Sequence, residues 1–436
     1  MKKIIFFLTM ISAYKIVSAS ETIPAPAINT GDTAWVLVAT ALVMFMTAPA
    51  LAFFYGGLVK RKNVLNILMQ CFITLAFVSL IWVIFGYSLA FSTEDLIPGF
   101  IGGLNWAFLN GVGSIPHPSY GPTIPHISFM LFQGMFAVIT PALIIGAFAE
   151  RIKFSTYLVF TLLWITIVYC PVAHWMWSAG GWLNKLGAVD FAGGIVVHII
   201  AGISSLVTAI VIGKRKNLKP SPPHNLAFTM MGAAMLWFGW FGFNAGSALA
   251  ANGLAANAFV TTNTAASAAT IVWLVLDWIM VKKPTMLGSA TGAIAGLAAV
   301  TPASGFVDMK GALVIGIVSS IICYFMVVVV KNKLGYDDAL DAFGVHGVGG
   351  IWGSIAVGIF AAPAVQSGYK GLIFGGTQLI KVQLIAVSTT AFYSLFITYA
   401  IFKLLDFTMG IRVSEDEEAV GLDIIEHNER AYTVID

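Results

Sequence analysis

Two stretches of this chain hold residues able to handle a proton in apolar surroundings. The first, Asp190-Phe-Ala-Gly-Gly-Ile-Val-Val-His198-Ile-Ile-Ala-Gly202, opens a hydrophobic run that continues to Ile212. The second is Asp341-Ala-Phe-Gly-Val-His346-Gly-Val-Gly-Gly350, again a carboxylate and an imidazole where a glycine-rich apolar span begins. A neutral imidazole offers both a hydrogen-bond donor and an acceptor. Deep in an apolar span it is expensive unless it faces protein or a cavity, which makes each histidine a functional candidate. The plainer reading of either one alone is a core histidine bonded to a neighbouring helix. If the first segment is helical from Asp190 onward, their spacing puts Asp190 and His198 within about 80° of each other around the axis.

A membrane must position these residues. The chain has 436 residues, 58% hydrophobic and 10% charged, against about 25% charged for a soluble protein. Its apolar runs are too long for barrel strands, so the fold class is all-α and polytopic. The net charge of +3 is modest, and no basic-aromatic tract points to nucleic acid. Cys71, Cys170 and Cys323 lie far apart in apolar runs and behave as small hydrophobes. A metalloenzyme reading fails on the sequence. There is no His-Glu-x-x-His helix, and neither histidine has a second ligand near it on its own helix. No enzyme, cofactor or metal is expected.

Eleven spans of membrane length follow residue 30: Trp35–Leu58, Val64–Phe91, Ile127–Phe148, Tyr157–Trp177, Ile195–Gly213, Leu226–Leu249, Phe259–Val281, Leu287–Thr301, Ala312–Val330, Gly347–Ala361 and Leu379–Leu405. The odd-numbered connections carry Lys60-Arg61-Lys62, Arg151 with Lys153, Lys214-Arg215-Lys216 with Lys219, Lys282-Lys283, and Lys331 with Lys333. The even-numbered ones carry few basic residues, chiefly Lys185, Lys310 and Lys370. The positive-inside rule then places the N-terminus outside and the C-terminus in the cytoplasm. Residues 1–20 read as a cleaved signal peptide, with a charged start, an apolar core and small residues at Ser18-Ala19-Ser20. Residues 33–405 form the membrane domain. The polar stretch 406–436, with Glu415-Asp416-Glu417-Glu418, forms a tail expected to pair with the basic loops at Arg151 and Lys214. Its apolar residues, an Ile pair at Ile424-Ile425 among them, are expected to pack on that face.

The two histidine stretches lie five spans apart and are entered from opposite sides. An inverted five-plus-five helix repeat with one extra helix requires that relation, and it brings His198 and His346 together near the midplane. Three aromatic stretches fit around such a site: Phe132-Gln133-Gly134-Met135-Phe136, Ala173-His174-Trp175-Met176-Trp177, and Trp240-Phe241-Gly242-Phe243-Asn244-Ala245-Gly246-Ser247. By composition alone these are packing residues or interfacial tryptophans.

Together with Phe53-Phe54-Tyr55-Gly56-Gly57-Leu58, Gly146-Ala147-Phe148-Ala149-Glu150-Arg151 and Val300-Thr301-Pro302-Ala303, these stretches closely resemble the ammonium transporter family (Amt/MEP/Rh) from about Trp35 to Tyr432. The bacterial Amt branch is the nearer, through Trp177 and Ser247. The resemblance implies an ammonium-binding site at Phe136, Trp177 and Ser247, and a gate formed by Phe136 and Phe243. It implies a pore lined by His198, His346, Tyr55 and Trp240, with Asp190 supporting the recruitment site. It further implies a homotrimer in the bacterial inner membrane with one pore per subunit. The tail, from Gly421-Leu422-Asp423 to Tyr432, resembles a segment that helps dock a PII-type signal protein. The implied transport recruits ammonium, deprotonates it and conducts ammonia, with or without proton co-transport.

Overall fold

A helix satisfies its own backbone hydrogen bonds, so each long apolar run in a membrane protein takes that form. The computed structural model describes residues 27–216 and 222–432. The expected signal peptide lies outside the described residues. Ten helices among them are long and apolar enough to cross a membrane, and an eleventh, Met286–Val300, is shorter. In chain order they are α1 (Thr30–Leu58), α2 (Arg61–Phe91), α3 (His126–Phe148), α4 (Phe154–Leu186, interrupted after Trp177), α5 (Gly194–Ile212), α6 (Leu226–Gly246), α7 (Gly253–Met280), α8 (Met286–Val300), α9 (Met309–Leu334), α10 (Phe343–Phe360) and α11 (Gln378–Thr408).

The helices that matter most to the site begin irregularly. Wide π-helical turns, Gly194–Ile199 and Phe343–Gly347, open α5 and α10, and each holds one of the two histidines. Such turns recur at functional sites because they push one side chain off the regular register. The same two helices cross almost backbone to backbone. A Cβ on Gly202 would lie 2.1 Å from the Gly347 nitrogen, so no larger residue fits there. α3 is nearly all buried and packs against α5, α1 and α2. α8, built from Gly, Ala and small apolar residues, is buried over most of its length.

The connection between α2 and α3 is ordered. It carries a small antiparallel hairpin, β1 (Asp95–Ile97) and β2 (Ile101–Gly102). The Ser88 hydroxyl pins it by donating to the Gly103 carbonyl at 2.7 Å and accepting from the Trp106 N–H at 2.9 Å.

At the opposite end the tail forms α12 (Glu415–Val420) and α13 (Leu422–His427). A capping box between Ser414 and Glu417 starts the first. The tail docks on the start of α2. The Leu422 N–H donates to Asn63 Oδ1 at 2.8 Å, the Asn66 N–H donates to Asp423 Oδ1 at 2.9 Å, and the Arg61 guanidinium lies 5.1 Å over the Tyr432 ring. The acidic run pairs with Lys216 (Glu415, 2.6 Å) and Arg412 (Glu418, 2.5 Å). Two expectations are corrected here. The buried Arg151 guanidinium donates to the carbonyls of Ala147, Ala149, Gly213 and Asp337 and not to the acidic run. Its loop meets the tail through backbone, the Val413 N–H donating to the Arg151 carbonyl and the Lys153 N–H to that of Ile411, each at 3.1 Å. Of the tail's apolar residues Ile411, Val413 and Leu422 are buried and Tyr432 packs against the core, whereas Ile424 and Ile425 stay exposed.

Candidate functional site

Asp190 lies ahead of α5 rather than within it. Gly193 has φ +113°, which breaks any helix running from Asp190, so the expected angular relation to His198 does not exist. Instead the carboxylate caps the helix. Oδ1 accepts from the N–H groups of Gly193 (2.9 Å) and Gly194 (2.7 Å), and Oδ2 from those of Ile195 (2.7 Å) and Val196 (3.0 Å). These donors have no partner inside the helix, and their partial positive charge suits an anion. Burial pushes the carboxyl above its usual range, and the four bonds offset part of that rise. The Asp190 carbonyl in turn accepts from Trp177 Nε1 at 2.8 Å.

That bond fixes Trp177 edge-on to Phe136, with ring centroids 5.8 Å apart and planes at 89°. From Phe136 a column of rings runs through the bundle. Phe136 lies 4.3 Å from Phe243, Phe243 6.1 Å from His198, and His198 5.2 Å from His346 with planes 10° apart. Trp240 flanks the column, 5.6 Å from His198, and donates from Nε1 to Thr301 Oγ1 at 2.9 Å.

Three cavities follow this column. The first, about 160 Å³, is lined by Phe136, Trp177, Ser247, Gln133, Tyr120 and neighbouring rings. The second, about 10 Å³, lies beyond the Phe136–Phe243 pair and holds His198, His346, Trp240 and otherwise apolar side chains. A space of that size admits about one water molecule. The third, about 150 Å³, shares His346 and is lined by Tyr55, Leu340 and Asp341. Tyr55 donates to the Leu143 carbonyl at 3.0 Å. Both ring nitrogens of His198 and Nδ1 of His346 are buried without a partner in the chain. Buried polar atoms are seldom left so, and here all three belong to rings that line the narrowest cavity.

Phe136, Phe243, His198 and His346 form the column, Trp177, Ser247, Trp240 and Tyr55 line the cavities along it, and Asp190 stands beside it as the cap of α5. Sequence reasoning missed the bond from Trp240 to Thr301, the glycine crossing and the role of Asp338. Asp341 had stood as the counterpart of Asp190, but its carboxylate pairs with Lys331, and its φ is +61°. The residue that accepts from the first N–H of α10, that of Phe343 at 2.8 Å, is Asp338. Its other oxygen is buried and unpartnered. Burial and the neighbouring Asp341 push its carboxyl up to about 6. A carboxyl raised in the folded state burdens the fold once it ionises. The cost grows from the unfolded value near 4 and is complete above about pH 6, where it reaches roughly 3 kcal/mol. Asp338→Asn, which keeps an acceptor for Phe343, is therefore expected to raise the unfolding temperature at pH 8. The gain should shrink toward zero as the pH falls to about 4. Thermal unfolding of the detergent-solubilised protein across that range checks this, and a gain that did not depend on pH would exclude an ionised, burdened Asp338.

Ten apolar helices around a buried line of cavities, narrowed to the size of one water at two imidazoles, define a polytopic membrane protein of the transporter class. The chain belongs to the Ammonium Transporter Family, whose model matches residues 34–432. It is 52% identical to the ammonium transporter of Bacillus subtilis over 403 residues, 92% of this chain and 98% of that protein. It is 51% identical to ammonium transporter Amt1 of Archaeoglobus fulgidus, with 92% and 99% covered. Among solved structures it is similar to Saccharomyces cerevisiae Mep2, with a TM-score of 0.83, 37% identity and 89% of each chain covered.

Proposed function

We propose that this protein transports ammonium by binding the ion at the Trp177 cavity, releasing the ion's proton to water on the outer side or to the paired imidazoles, and passing ammonia between His198 and His346 to the Tyr55 cavity. The observation that carries this is the waist: about 10 Å³ of space, closed by the Phe136–Phe243 pair, with unpartnered imidazole nitrogens as its chief polar groups. A bare cation in so apolar a space costs tens of kcal/mol, whereas neutral ammonia exchanges hydrogen bonds with neutral imidazoles. Trp177 and Phe136 offer the ion π faces worth about 0.5–2 kcal/mol each, and Ser247 offers an oxygen. Potassium, close to ammonium in size, has no proton to lose and is excluded at the waist. In this reading α8 crosses the membrane as the eleventh helix, α1–α5 and α6–α10 form the inverted repeat, and Asp190 holds Trp177 in place. The Trp177 cavity faces outward, the tail lies in the cytoplasm, and three copies assemble in the bacterial inner membrane. The docked tail suits a binding face for a PII-type signal protein.

The mouth is tested by Trp177→Leu, which removes a π face and keeps an apolar bulk. In proteoliposomes the ammonium concentration for half-maximal transport is expected to rise about fivefold or more. An unshifted curve would make Trp177 a packing residue only.

A further inference from the structure

The Trp177 cavity contains one side chain for which packing gives no account. Along α3, Phe129, Gln133 and Phe136 stand at i, i+4 and i+7, one face of the helix, and all three line the cavity. Two members of that stripe are aromatic, and the third is an amide. The carbonyl oxygen of Gln133 is buried and has no hydrogen-bond partner. Leaving it so destabilises the protein, since a buried unpaired acceptor costs its full desolvation. A polar residue kept on the cavity side of a membrane helix under that penalty points to something the cavity holds.

Of the other polar side chains in the lining, Ser119 is exposed, and Tyr120 and Ser247 are committed elsewhere. The Tyr120 hydroxyl donates to the Phe91 carbonyl at 2.7 Å and contacts Ser178 Oγ. Ser247 Oγ donates to the Phe243 carbonyl at 2.9 Å, so toward the cavity it has only lone pairs to offer. An ammonium ion has four N–H donors. The rings of Phe136 and Trp177 attract its charge but give it no oxygen, and Ser247 alone satisfies one donor. We infer that Gln133 is a further ligand of the recruited cation, its amide oxygen accepting an N–H from ammonium beside Ser247. An amide presents oxygen or nitrogen by a half-turn, and a cation in the cavity selects the oxygen. This assignment rests on the proposed reading of the Trp177 cavity as the mouth that takes ammonium. It also gives the mouth a geometric preference. Oxygens set for N–H donors, with rings filling the remaining directions, suit a small protonated amine better than a metal cation that needs a full shell of oxygens.

The test measures uptake of ammonium chloride and of methylammonium chloride in proteoliposomes against concentration, for the native chain, Gln133→Leu, Gln133→Glu and Trp177→Leu. Gln133→Leu is expected to raise the half-saturating ammonium concentration about tenfold, the size of one hydrogen bond to a charged group, with the maximal rate changed less than about twofold. Gln133→Glu keeps an acceptor at the same reach and adds charge, so it is expected to hold or lower that concentration. The glutamate variant also stands as the test if the leucine variant fails to fold. If Trp177→Leu shifts the curve and Gln133→Leu does not, the ligand assignment is overturned and the mouth stands. If neither shifts it, the mouth itself is overturned and the assignment with it. If Gln133→Glu raises the half-saturating concentration as much as leucine does, Gln133 acts through shape and the acceptor role is wrong.

Discussion

The double variant His198→Asn, His346→Asn is expected to lower the ratio of ammonium to potassium flux by about tenfold or more. The two imidazole planes are nearly parallel, with centroids 5.2 Å apart, and Trp240 and Phe243 flank His198. That packing sets both the width of the waist and the direction of its unpartnered nitrogens. Asparagine keeps a donor and an acceptor but is shorter and has no ring to stack. The waist widens, and the passing ammonia loses partners at the point where apolar walls surround it. Removing core volume that the surroundings do not refill leaves space for water. A wetted waist no longer forces a cation to shed its hydration, which is the barrier that excludes potassium. Ammonium uptake therefore slows while potassium gains entry. Paired flux measurements with ammonium and potassium read both changes. An unaltered ammonium rate with unaltered selectivity would remove the histidines from the transport path.

The helices were legible because apolar length is the only thing a membrane span must have. The third span was expected at Ile127–Phe148 and runs His126–Phe148. The two histidine stretches were legible for a related reason, since a polar group in an apolar run has few explanations. Missing from the sequence was everything set by backbone geometry or by distant partners. Whether Asp190 begins a helix or caps one depends on the φ of Gly193, which hydrophobic periodicity does not encode. Which of Asp338 and Asp341 meets the α10 N-terminus depends on where Lys331, on another helix, takes a carboxylate. The tail's charges found Lys216 and Arg412, because Arg151 was already committed to four carbonyls. Gln133 stood in plain view in the Phe132–Phe136 stretch, but only the cavity distinguishes it from a packed residue.

Arg215→Leu is expected to destabilise the protein by about 3 kcal/mol or more. Three connections between helices meet on this one guanidinium: Glu150 after α3, Asp337 after α9, and Arg215 itself after α5. Nη1 lies 2.8 Å from Glu150 Oε2, while Nη2 and Nε each donate at 2.9 Å to one oxygen of Asp337. The fork geometry is specific to arginine, so Arg215→Lys should recover only part of the loss. Glu150 and Asp337 are largely buried, and Glu150 also accepts from the Lys60 N–H at 2.6 Å and from Asn63 at 3.0 Å. Taking away the cation strips two largely buried carboxylates of their shared partner, which is why removing one member of a buried group costs far more than an exposed pair would. The pH dependence gives the sign. Burial alone would push the Asp337 carboxyl up, but Arg215 outweighs it and holds the group below the usual carboxylate range. A depressed carboxyl stabilises the fold above its unfolded value near pH 4 and loses that contribution as the pH falls through the folded value. The deficit of the leucine variant should therefore be largest at pH 7 and shrink as the pH falls, first as the stranded carboxylates take up protons and then, below about pH 4, as the native pairing is lost. Adding Glu150→Gln to Arg215→Leu, which removes one of the stranded charges, should restore part of the unfolding temperature at pH 7. Thermal unfolding of the three purified variants beside the native chain measures all of this. A leucine variant that melts within a degree of the native protein would show the cluster to be a screened surface pairing with no hold on the three connections.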